Sequence, residues 1–177
     1  MNGAESLVRT LLANGIDTCF ANPGTSEMHF VAALDKVPGI RCVLALFEGV
    51  ATGAADGYAR MTDKPAATLL HCGPGLANGM ANIPTAQSER VPRSNIVGVK
   101  ADTEGGARPV STWCRTSTAV GAVGRDAAAA VQAARTASGI ATLILPADVC
   151  WDDGGEVAGA VHIAAPPAAS PEMVGRA

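Results

Sequence analysis

Glu48 stands between an apolar run, Cys42-Val43-Leu44-Ala45-Leu46-Phe47, and a helix-like stretch of mostly small residues, Gly49-Val50-Ala51-Thr52-Gly53-Ala54-Ala55-Asp56-Gly57-Tyr58-Ala59-Arg60. A carboxyl group placed where a buried strand hands over to a helix lies near apolar side chains and unpaired backbone N–H groups. Its protonation can be tuned there, which makes it a candidate acid or base; an acidic residue at that place also serves simply as a favourable helix start. His71 closes another apolar run, Ala66 to Leu70, where it is either a proton-transfer group or a hydrogen-bonded structural histidine. Thr25 follows the turn-forming Asn22-Pro23-Gly24 and offers a hydroxyl for a ligand or for a helix cap. Cys72 has no acidic or basic partner adjoining it in sequence that would activate a thiol. Gly73-Pro74-Gly75-Leu76-Ala77-Asn78-Gly79 lets backbone approach a ligand, but the nucleotide reading fails on spacing. Asn78 occupies the place of the third glycine of a dinucleotide fingerprint, and no G-K-[ST] follows.

These residues need elements to hold them. Ala4, Leu7, Val8, Leu11 and Leu12 recur at the helical period, and Asn14-Gly15 stops that helix. Ile16 to Ala21 reads as a strand, and Thr25 or Ser26 caps a helix with Met28, Val31 and Leu34 on one side, broken at Pro38-Gly39. A strand at about 40–46, the Glu48 helix to about Thr62, a strand over Ala66 to Leu70 and a helix after Gly73-Pro74-Gly75 follow. Pro84 should end or kink that helix at a cost of about 3 kcal/mol, and Pro92-Arg93-Ser94 leads poorly into a fourth buried strand at Asn95-Ile96-Val97-Gly98. Val99 to Thr118 shows no regular period; a helix from about Gly124 to Ala137 then precedes the apolar strand Ile140 to Leu145, closed by Pro146. Strands alternating with helices, and apolar on both faces, predict a three-layer α/β/α fold with a mainly parallel sheet of about six strands. Such sheets bind ligands beyond the carboxyl ends of their strands. Asn22 to Thr25, Glu48 and His71 to Gly75 all fall at that edge.

Composition narrows the function. With 177 residues, 48 % apolar but only 3 % aromatic, the chain suits one domain with a core of Ala, Val, Leu and Ile. A net charge of −3 and the lack of any basic run argue against nucleic acid. Neither a secretory signal nor a run of about 18 apolar residues for a membrane span is read from the sequence. Cys19, Cys42, Cys72, Cys114 and Cys150 include no C-x-x-C pair, which suits reduced thiols in a cytoplasmic protein. His29, His71 and His162 show no metal-ligand spacing, so no metal site is expected. Residues 1–150 read as the domain, and residues 151–177, rich in Pro and Ala, as a tail or the start of a linker.

Taken in order, Asn22-Pro23-Gly24-Thr25, Leu46-Phe47-Glu48-Gly49, Ala54 to Arg60, Gly73-Pro74-Gly75-Leu76-Ala77-Asn78, Arg108-Pro109-Val110-Ser111 and Leu145-Pro146-Ala147-Asp148 carry a resemblance. Over roughly residues 3 to 150 the chain resembles the N-terminal, pyrimidine-binding (PYR) domain of thiamine diphosphate enzymes of the acetolactate synthase and benzoylformate decarboxylase type. The resemblance implies that Glu48 hydrogen-bonds the aminopyrimidine of the cofactor and promotes the tautomer that removes the thiazolium C2 proton, whose carbanion attacks a 2-oxo acid. It implies cofactor contacts at Pro23, Gly24, Gly73, Pro74, Gly75 and Asn78. Thr25 matches a hydroxyl residue that touches the substrate carboxylate, and His71 matches a histidine that touches substrate and assists proton transfers. It also implies Mg²⁺ and the diphosphate on a separate domain bearing a G-D-G…N-N motif, which nothing in this sequence matches. That domain would lie in the same or another chain of a homo-oligomer, and this chain alone would be inactive. A truncated enzyme, the small subunit of a split 2-oxo acid decarboxylase and a non-catalytic association module that packs through the small-residue Glu48 helix are the readings left open. The stretch between Gly98 and Arg108 is shorter than is usual in the family.

Overall fold

The computed structural model describes residues 1–99, 103–136 and 139–164. In chain order its elements are α1 (Gly3–Ala13), β1 (Thr18–Asn22), α2 (Met28–Lys36), β2 (Arg41–Leu44), α3 (Glu48–Thr62), β3 (Ala66–Leu70), α4 (Cys72–Gly79), α5 (Ile83–Ser88), β4 (Arg93–Gly98), α6 (Thr103–Ala107), β5 (Trp113–Thr116), α7 (Val123–Thr136), β6 (Ile140–Leu145) and α8 (Ala147–Trp151). Short 3₁₀ turns cover Thr25–Glu27, Arg108–Val110 and Val120–Ala122. The six strands are all parallel and lie in the order β2-β1-β3-β4-β6-β5.

Side-chain alternation along the strands builds two cores. Cys19, Ala21, Ala67, Leu69, Ile96, Ala141, Leu143 and Leu145 face one side, where they meet Leu7 and Leu11 of α1, Phe30 of α2 and Val131 of α7. Leu70, Val97, Ile140 and Ile144 face the other, against Ala51 and Ala59 of α3, Leu76 of α4 and Ile83 of α5. This is the expected three-layer arrangement. From β1 the chain moves outward to β2 and then returns to place β3 on the other flank of β1. The segments leaving β1 and β3 therefore go to opposite faces, α2 to one and α4 to the other, and their divergence opens a crevice at the strand ends.

Several local expectations change. The helix after β3 starts at Cys72 and contains Gly73-Pro74-Gly75 rather than following them; Cys72 itself takes a left-handed φ of 50° to turn from strand into helix. Pro84 does not kink a continuous helix. One helix ends at Gly79 and the next begins at Ile83, so Pro84 sits in a first turn, where its missing N–H would have had no partner. Neither Thr25 nor Ser26 caps α2: a 3₁₀ turn precedes it, Met28 is exposed, and the fully buried face carries His29, Phe30 and Ala33. The irregular 99–118 stretch contains α6 and the edge strand β5, while Ala137 and residues 165–177 lie outside the described residues. The fourth strand begins at Arg93, two residues earlier than its apolar run, with Arg93 fully buried. Residues beyond α8 fold back on α1, where Thr10 accepts from the Ala158 amide at 3.1 Å and Asn14 from the Val161 amide at 2.8 Å.

Candidate active site

Glu48 is the first residue of α3, and extended Phe47 is its N-cap without a side-chain cap bond. The Glu48 side chain is 5 % exposed, although Leu46, Phe47 and Val50 around it are exposed. It turns toward α4: Asn78 Nδ2 donates to its Oε2 at 3.0 Å. A Cβ added to Gly75 would stand 2.7 Å from its Oε1, so only glycine leaves that carboxyl oxygen its place. Small residues let α3 and α4 approach closely. Thr52 Oγ1 lies 3.1 Å from the Gly79 carbonyl, Asn82 Nδ2 donates to the Gly49 carbonyl at 2.6 Å, and a Cβ at Gly79 would come within 2.9 Å of Thr52. The small-residue face of α3 is thus used inside the domain.

A second cluster forms at the β1/β3 crevice around Glu27, which the sequence reading did not single out. Glu27 is fully buried. Its Oε2 accepts from the Gly24 amide at 2.9 Å and lies 2.7 Å from His71 Nδ1; its Oε1 accepts from the Cys72 amide at 3.2 Å and the Cys72 thiol at 3.4 Å. A Cβ on Gly24 would overlap the His71 ring, and one on Gly98 would overlap the Glu27 carboxylate. The His71 side chain is 31 % exposed. With Nδ1–H donated to Glu27, its Nε2 is left as the lone-pair nitrogen. The available signal was an acidic residue three positions after Gly24, close to a histidine only once the fold is made.

The two clusters share α4, whose first turn is tied by the Gly75 amide donating to the His71 carbonyl at 2.7 Å. The structure therefore brings together Gly24 and His71, and Glu48, Gly75 and Asn78. Thr25 is exposed in the 3₁₀ turn, Pro23 and Gly73 are partly buried, and Pro74 is exposed at the same edge. Glu27, His71 and Cys72 also form a set of possible metal ligands, against the sequence expectation of none. No helix of the described residues is long and apolar enough to cross a membrane.

Residues 1–113 match the family described as thiamine pyrophosphate enzyme, N-terminal TPP binding domain. The chain belongs to that family. Its similarity to the "Putative acetolactate synthase large subunit IlvX" of Mycobacterium tuberculosis is 55 % identity over 187 aligned positions, 99 % of this chain and 36 % of that protein. The aligned length exceeds that of the chain, so the relative carries residues that this chain lacks. The acetolactate synthase large subunit of Haemophilus influenzae is 34 % identical over 62 % of the chain and 21 % of its own length. Among solved structures, the thiamine diphosphate-dependent 4-hydroxybenzoylformate decarboxylase of Rhodococcus jostii RHA1 superposes with a TM-score of 0.83 at 22 % identity, over 99 % of this chain and 36 % of that one, and shows the same fold. The chain is thus a PYR domain of the thiamine diphosphate enzymes, and it spans about a third or less of the length of these relatives.

Proposed function

We propose that this chain supplies the pyrimidine side of a thiamine diphosphate site acting on 2-oxo acids, with Glu48 as its acid–base group. The supporting observation is the setting of that carboxyl: hidden from water at the carboxyl edge of the sheet, one oxygen held by Asn78, the other faced by a glycine cradle that a Cβ would fill. These residues fit a flat, hydrogen-bonding ring. When bound, thiamine diphosphate supplies a carbon nucleophile and an electron sink for loss of carbon dioxide from a 2-oxo acid. Glu48 exchanges a proton with a nitrogen of the ring, and Asn78 fixes which carboxyl oxygen does so. Pro23, Gly24, Gly73 and Pro74 lie at the same edge and would hold the ring there.

His71, oriented by Glu27, presents Nε2 for giving or taking a proton beside the substrate, and the exposed Thr25 hydroxyl would donate a hydrogen bond to the substrate carboxylate. A second proton-transfer group favours decarboxylation, in which the product carbon must be protonated, over carboligation. Exposed Leu44, Leu46, Phe47 and Val50 offer the seat for a diphosphate-binding domain of the same or another chain, which would carry Mg²⁺. A homo-oligomeric enzyme of the cytoplasm accommodates this arrangement. The association-module reading is disfavoured because the small-residue side of α3 already packs within the domain, and Glu48 is not the N-cap of α3 but is held by Asn78.

Calorimetry tests the reading. The chain alone should take up no thiamine diphosphate, whereas a mixture with a diphosphate-binding domain and Mg²⁺ should bind it; no uptake by the mixture would contradict the proposal.

A further inference from the structure

We propose that Glu27, His71 and Cys72 form a binding site for a soft divalent metal ion of the zinc class, separate from the Mg²⁺ expected with the diphosphate. One carboxylate oxygen, one imidazole nitrogen and one thiol sulfur lie within 4.8 Å of one another. A tetrahedral zinc ion spaces its oxygen and sulfur ligands about 3.5 Å apart and its oxygen and nitrogen ligands about 3.3 Å apart, from bond lengths of about 2.0 Å to O and N and 2.3 Å to S. Cys72 Sγ and Glu27 Oε1 already stand 3.4 Å apart. His71 Nδ1 lies 2.7 Å from the other oxygen, Oε2, so a turn of the carboxylate as that hydrogen bond gives way brings one oxygen into range of both the thiol and the ring.

Three further features favour an ion here. Glu27 is fully buried, yet among the described residues its only ion-pair partner is the ring of His71. A buried carboxylate without a fixed positive charge gains from a cation. The Gly24 and Cys72 amides, which donate to the two carboxylate oxygens, would remain in place and orient the ligand, as hydrogen bonds to metal-bound carboxylates do. Finally, the donor set discriminates: a thiolate with an imidazole suits zinc, cobalt or cadmium and rejects magnesium and calcium, which require oxygen ligands. Binding releases the thiol proton to solvent, moves the imidazole proton from Nδ1 to Nε2 and leaves a fourth position open for water. If His71 moves protons as in the function proposed above, an occupied site silences it, so metal and proton transfer exclude each other; metal binding itself does not depend on that function.

Cobalt(II) titration of the full chain tests the site, in a Cys42→Ser background that removes the exposed thiol. The expected result is one equivalent bound with a thiolate-to-cobalt charge-transfer absorption. Stoichiometric zinc should bleach it and millimolar magnesium should not. Cys72→Ser should abolish the band, and His71→Ala, at a partly exposed side chain, should weaken binding by at least about tenfold. Thermal unfolding checks that each variant folds; if Cys72→Ser does not, the His71→Ala affinity decides. An absent band, a band unchanged in Cys72→Ser, unchanged affinity in His71→Ala, or displacement by magnesium would overturn the proposal.

Discussion

Two buried charges lie at opposite ends of the same parallel sheet, and they are treated differently. At the carboxyl edge, Glu27 has both oxygens occupied by two amides, a thiol and an imidazole. At the amino edge, Arg93 is equally buried, but its Nε and both terminal nitrogens find no hydrogen-bond partner among the described residues, and Asp56 approaches no closer than 3.9 Å. Asp56 is already held by Arg60 at 2.9 Å. Burial draws the Arg93 guanidinium down to about 10, with the nearby Asp56 charge opposing that and Arg60 adding to it. The contrast shows where polar groups in this sheet are arranged around chemistry and where one is merely tolerated. Between the two ends, Thr68, Asn95 and Thr142 form a hydrogen-bonded ladder across β3, β4 and β6 that Ser111 extends, whereas Arg93 and the Ser94 hydroxyl, side by side at the start of β4, are left out of it.

Substitutions at either end sharpen this comparison. Glu27→Ala should cost the most, about 3 kcal/mol, because it strands the buried Cys72 amide and leaves the Gly24 amide and the His71 ring without their partner. Urea unfolding would measure it, and a loss near zero would mean that water replaces the carboxylate. Arg93→Met should do the reverse and raise stability by about 1–3 kcal/mol, since it removes a poorly paired buried charge and leaves Asp56 with Arg60. A destabilised Arg93→Met variant would show that the guanidinium is satisfied after all.

The smallest effect concerns His29, on the buried face of α2 and edge-on to Trp151 at 6.1 Å. Burial holds its pKa below the usual histidine value, partly offset by the neighbouring Glu27 charge. Between the folded and unfolded pKa values only the unfolded chain binds the proton. The stability that the neutral ring contributes is therefore complete above about pH 6.5 and declines as pH falls below it. The difference in urea midpoint between the native chain and His29→Gln should shrink from pH 7.5 to pH 5.5; a constant difference would remove the assignment.

Much of this layout was readable in the sequence where periodicity and breakers agree. The Ala66–Leu70 and Ile140–Leu145 runs fell on their strands, and the three loops at the carboxyl edge were placed there before any coordinates. Arg93 and Ser94 hid the start of β4 because polar residues do not advertise a strand that is buried on both faces. Trp113–Thr116 was missed because Trp-Cys-Arg-Thr carries no apolar run, whereas the equally short edge strand β2 lies in the apolar run Cys42 to Phe47. The helical Cys72–Gly79 was read as a turn followed by a helix, because Gly and Pro weaken helices locally while packing against α3 overrides them. Glu27 needed the fold itself: its partners lie 44 and 45 residues away in sequence.

The central claim is that Glu48 works on the pyrimidine of thiamine diphosphate, and hydrogen–deuterium exchange at the cofactor's C2, followed by NMR in the assembled enzyme, tests it most directly. Glu48→Gln should slow that exchange by about 100-fold or more while the protein folds and associates as before. An exchange rate equal to that of the native enzyme would contradict it.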